Sequence, residues 1–116
     1  MALAEGEGLA MQALVDRALA GIGRADWHAL ADAVAAKRDG SAFATFMALL
    51  RRAISAGVRQ AARGGAAPPW LAARPLAEWS LLWDTIGRLA AETDALSLDR
   101  KQAVLNMLGW LAGSQR

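Results

Sequence analysis

The side chains with the means to do chemistry are few in this sequence, and widely spaced. His28 is the only imidazole. It stands one helical turn before Asp32, so a helix would place the two within reach of each other. A metal site needs three or four converging ligands, and a nucleophilic triad needs a serine or cysteine against the imidazole. Neither pattern surrounds His28, which reads as a helix-surface residue. The carboxylates Asp16, Asp26, Asp32, Asp84, Glu92, Asp94 and Asp99 fall at helix starts and on polar faces. No spacing forces two of them together as an acid–base pair would require, so they read as caps and solubilising charges.

Arg52, Arg59 and Arg63 carry a sharper signal. Spaced seven and four residues apart, they line up opposite the apolar stripe of their helix. Such a row can track a phosphate backbone or an acidic partner. No aromatic residue interleaves with it for base stacking, and a solvated arginine face is the competing account. The chain also has five tryptophans and no tyrosine. Trp79 and Trp83, one turn apart, are expected in the core. Trp70, after two prolines, and Trp110, on the flank of the last helix, are the candidates for a subunit contact, with Leu105, Leu108 and Leu111 beside Trp110.

These residues must be positioned by helices. Hydrophobic residues make up 55% of the chain and charged residues 21%, which places it among globular proteins. Alanine and leucine dominate and β-branched residues are sparse, so the summed preference is helical throughout. At 116 residues one core is expected. The formal net charge of +2 does not single out a nucleic-acid binder. There is no cysteine, hence no disulfide or thiolate metal site. Charged residues interrupt every apolar run before the ~20 residues that a bilayer span requires. The acidic opening "MALAEGEGLA" is unlike a secretory signal, so a cytoplasmic protein is expected.

Apolar periodicity predicts a first helix over Leu9–Ile22, ended by Gly21 and Gly23. A second follows with Asp26 as its N-cap, Trp27, Leu30, Ala31 and Val34 as its stripe, and Lys37 and Arg38 in its last turn. Ser41 opens the longest helix, whose stripe from Phe43 to Ala61 spans roughly 120° of the wheel. Residues 64–74 form a Gly/Ala/Pro connection to Pro75, which suits the first turn of a fourth helix with Trp79, Leu82, Trp83, Ile86, Leu89 and Ala90 as its stripe. Ser97 is expected to cap a fifth helix, with Asp99 adding negative charge at its start. Apolar residues cover so much of that helix that it must lie centrally or meet another chain.

The last third, "EWSLLWDTIGRLAAETDALSLDRKQAVL", resembles the end of the delta-prime subunit of the bacterial DNA polymerase III clamp loader, in its alphaproteobacterial form. The stretch from Ala25 to Arg63 is similar to the preceding helices of that family's C-terminal domain, and residues 1–8 resemble the hand-over from its lid segment. The most specific motif is "LSLDRKQAVL", Leu96 to Leu105, where relatives usually have asparagine at the position of Ser97. The resemblance implies a non-catalytic domain that joins those of neighbouring subunits in a collar holding the clamp loader together. Its partners would be the delta and gamma/tau subunits, and DNA only indirectly through the complex. No part resembles the family's nucleotide-fold region. The chain is thus expected to be an all-α bundle of about five helices whose role is oligomerisation, without cofactor, metal, small-molecule substrate or membrane. A helical nucleic-acid-binding module using the arginine row, and a generic helical adaptor domain, are the alternatives.

Overall fold

The longest helix organises the rest. In the structure, a computed structural model that describes residues 2–113 and the side chains of 8–112, α3 (Ser41–Ala62) lies between α1 (Ala2–Ala20) and α4 (Leu76–Ala95). The remaining helices, α2 (Arg24–Val34) and α5 (Arg100–Gly113), pack on each other, and α5 also touches α4 and α1. Among the described residues these five helices are joined by one 3-10 turn and no strand, the expected all-α bundle.

Periodicity explains the core. Phe43, Phe46, Met47, Leu50 and Ile54 recur on one face of α3 and are buried there. Val15 of α1, Val34 of α2, Ile86 of α4, and Val104 and Met107 of α5 close over them, each wholly or almost wholly shielded from water. Most of the apolar circumference of α5, Trp110 excepted, is accounted for within the molecule. Ala103, Val104, Met107 and Leu108 are buried, and Leu105 and Leu111 are partly buried against the same core.

Helix ends depart from the periodicity reading by a few residues, each for a local reason. α1 begins at Ala2 and stops at Ala20, where the Gly21 N–H closes on the Arg17 carbonyl. α2 starts after Gly23, so Asp26 lies in the first turn instead of capping it. Lys37 and Arg38 fall beyond its end at Val34. Gly40 is the residue that flanks the head of α3, and Asp39 before it accepts the Ser41 N–H at 2.9 Å, satisfying one of the donors that the helix leaves free. Pro75 is the residue before α4, and its carbonyl accepts the N–H groups of Glu78 and Trp79. The connection over 64–74 contains a 3-10 turn, Pro69–Ala73, whose Leu71 is buried.

The largest correction is at Ser97, which does not start α5. It adopts a left-handed φ of 52° and ends α4. The Leu98 N–H reaches back to the Thr93 carbonyl, and the Ser97 N–H to that of Asp94, which is the six-residue helix stop that usually carries glycine or asparagine at its left-handed position. Gly64 performs the same task for α3, with φ 77° and the same bonding pattern. The true cap of α5 is Asp99, whose Oδ1 accepts the Gln102 N–H at 3.1 Å.

Candidate subunit interface

Trp79 anchors the end of the bundle where α4 and α5 meet the 3-10 turn. It is buried, and its Nε1–H donates to the Leu71 carbonyl at 2.8 Å. Trp70 packs edge-on against it, ring centroids 5.1 Å apart. A Cβ built at Gly57 would come within 3.1 Å of the Trp70 ring, so the bare backbone of α3 makes room for it. Trp70 is therefore engaged inside the domain on this side, half-buried, with its remaining surface at the molecule's exterior. Leu108, only 2% exposed, is part of the core and offers a partner no surface.

Arg74 ties the same corner together. Its guanidinium lies 4.8 Å from the Trp79 ring centroid and donates to the carbonyls of Trp110 and Leu111 at 3.1 and 3.0 Å. A cation at the last carbonyls of α5 satisfies groups that the helix leaves open and opposes the dipole there. Burial pulls the Arg74 pKa down from its ordinary value, while nearby Glu78 pushes the other way.

Trp110 is held by this clasp with its ring partly in water. Beside it, Leu81 of α4 is 68% exposed, and the two flank an open groove of about 360 Å³ with Leu82 at its base and Glu78 and Thr85 at its edge. An apolar pair with a polar rim is the composition of an interface centre. Leu105 and Leu111 are partly buried against the core, so of the last-helix residues singled out in the sequence Trp110 alone stands out from it. Leu81 was missed because it lies off the apolar stripe of α4. A large apolar residue outside its helix's stripe was the available signal.

A second seam lies between α3 and α4. Trp83, expected in the core, is 37% exposed, and Arg51 explains why. The Arg51 guanidinium carbon sits 3.8 Å from the Trp83 ring centroid, and Nε–H donates to the Trp83 carbonyl at 3.1 Å. Gly87 makes the stacking feasible, since a Cβ there would fall 2.6 Å from that carbon. Arg52 and Arg59 are exposed on α3 and Arg63 is exposed just past its end, and Arg59 donates to the Ser55 hydroxyl at 2.8 Å.

His28 is exposed, and the expected partner Asp32 pairs instead with Lys101 of α5 at 2.9 Å. Among the described residues no group of three or more His, Cys, Asp or Glu side chains is placed to hold a metal ion. Nor is any described helix long and apolar enough to cross a membrane. Compared with known protein families, curated proteins and solved structures, the chain matches none of them.

Proposed function

We propose that this chain is a non-catalytic helical oligomerisation domain, of the kind that joins delta-prime to the other subunits in the collar of a bacterial DNA polymerase III clamp loader, acting in the cytoplasm. The observation that carries the reading is that exposed Leu81 of α4 and Trp110 of α5 line one open groove, together with Arg74, which holds the Trp110 carbonyl. The resemblance of the last two helices to that family supplies the class of partner, the delta and gamma/tau subunits. Interface energy concentrates in a few large apolar or aromatic side chains, so these two are the ones to remove. Co-elution of the domain with the clamp-loader subunits of its host, lost on Trp110→Asp or Leu81→Asp with helicity unchanged, is the expected result. Co-elution that ignores both substitutions contradicts this choice of interface.

The exposed row of Arg52, Arg59 and Arg63 favours a second reading, a nucleic-acid-binding module. It predicts affinity for DNA that falls with salt by about one unit of log–log slope per phosphate contacted. Removing one arginine should flatten that slope by a similar amount.

A further inference from the structure

From Gly40 to Ala77 the chain carries five arginines and no acidic residue, its longest run of one-signed charge. Two of the five are committed inside the fold, Arg51 to Trp83 and Arg74 to the end of α5. Arg52, Arg59 and Arg63 are exposed, and among the described residues none of them is paired with a carboxylate. Arg63, the first residue past α3, keeps a right-handed helical backbone, so at 3.6 residues per turn the three fall within about 40° of one another. They span about 17 Å of the helix axis. The side chains between Arg52 and Arg59 on this face, Ser55 and Ala56, are short, as is Ala48 before them. Ser55 also braces Arg59, accepting from its guanidinium.

We propose that this outer face of α3 lies along the phosphate backbone of a nucleic-acid duplex and holds it without reading sequence. The inference rests on the arginine-row reading given above and names the ligand of that row. It is independent of the collar reading.

The composition of the face selects the ligand. A protein partner draws its affinity from large apolar or aromatic side chains, and a lipid surface takes up a helix by such side chains too. Here alanine and serine stand between the arginines, so cations are all that the face offers. A phosphate polymer needs no more, and short side chains let a rod lie close against the helix. Single strands are held largely by stacking on aromatic rings, which this face lacks. Trp83, on the seam with α4, is already covered on one face by Arg51. A duplex carries its phosphates at fixed intervals and meets three fixed guanidinium groups without first being ordered. Because α3 is packed between α1 and α4, it cannot enter a major groove to reach base edges. Asp84, which shares a groove with Arg59, is taken up by Arg88.

The test is fluorescence anisotropy of the whole chain with a labelled duplex of about 20 base pairs and with either of its single strands, across a salt series. The duplex should bind at least about fivefold tighter than the strands at low salt, with a log–log salt slope of about 2.7 for three phosphates. Two duplexes of unrelated sequence should bind alike. Each of Arg52→Gln, Arg59→Gln and Arg63→Gln should lower the slope by about 0.9, and Ala56→Glu should weaken binding more than any of them. Arg88→Gln removes the same charge from α4 and should leave the slope unchanged. Circular dichroism checks that every variant is folded. Equal or tighter binding of single strands overturns the duplex assignment and leaves the arginine-row reading standing. A slope that ignores all three arginines, or no binding of either form, overturns both. Capture by vesicles of phosphatidylserine without duplex binding would make the row a lipid contact and also overturns the proposal.

Discussion

Ser97 shows how much a single residue's backbone decides. A serine at φ 52° sits in a region that L-residues enter at a cost of about 1–2 kcal/mol. Ser97→Gly should raise stability by about 0.5–1 kcal/mol in urea melts, part of the relief being offset by glycine's greater freedom when unfolded. Asp99→Ala should lower it by about 1 kcal/mol, the usual worth of an N-cap. The opposite ordering, with Ser97→Ala costly and Asp99→Ala silent, would restore Ser97 as the cap. Both residues are good caps, so the sequence "SLD" signals a helix boundary clearly and leaves its position open by two residues. The bonds that decide it reach back into α4, where composition carries no trace of them.

Asp39 adds a pH-dependent feature at the same scale. The hydrogen bond from the Ser41 N–H holds its carboxyl below the ordinary value of 3.8, with the Ser41 side chain adding to the effect. A depressed carboxylate contributes stability that is complete above the unfolded-state pKa and is lost as pH falls through the folded-state one. The acid-range loss should therefore lie below about pH 4. Asp39→Asn, which keeps an acceptor without a charge, should show a shallower decline there in urea midpoints measured across pH. Parallel declines would show that the Asp39 bond does not contribute.

Among the elements, the two clasps made by arginine matter most. Arg51 locks α4 to α3, and Arg74 locks the end of α5 to the 3-10 turn and Trp79. Arg74→Ala should cost about 1–2 kcal/mol, because it opens two helix-terminal carbonyls and removes a cation from the dipole. Gly87→Ala tests the other clasp by a balance of terms. Alanine in mid-helix gains about 1 kcal/mol over glycine, yet its Cβ would displace Arg51 from Trp83. Stability should consequently stay nearly level, whereas a gain of the full propensity difference would show that the clasp contributes nothing.

These contacts mark the limit of what periodicity reveals. The stripe of α3 and the buried face of α2 were legible because burial follows the helical repeat, whereas apolar residues almost all round α5 hid that Leu108 faces the core. Trp83 was misplaced because it sits at the edge of its stripe, and the seat of Trp70 was hidden because the 3-10 turn that carries it has no apolar repeat; in both a partner distant in sequence decides. Arg51 is 32 residues from Trp83, and Gly57 identifies the seat of Trp70 only once α3 and the turn are folded together.

For the whole molecule, the domain covers most of the apolar surface of its fifth helix and leaves Trp110 of that helix and Leu81 of α4 exposed. The Leu81–Trp110 groove, apolar with a polar rim, fits permanent association between subunits. Leu81→Asp should leave thermal stability within about 1 kcal/mol of the parent, since that side chain already meets water, while Trp110→Asp, at a residue only 37% exposed, should also cost stability. Both should weaken assembly.

The most direct test of the central claim is size-exclusion chromatography with light scattering on the domain mixed with the delta and gamma/tau subunits of its host, alongside the Trp110→Asp variant. The account predicts a complex of defined mass that dissociates on the substitution. A domain shown by circular dichroism to be folded, yet eluting alone with every subunit, would contradict it and bring the arginine row forward as the functional surface.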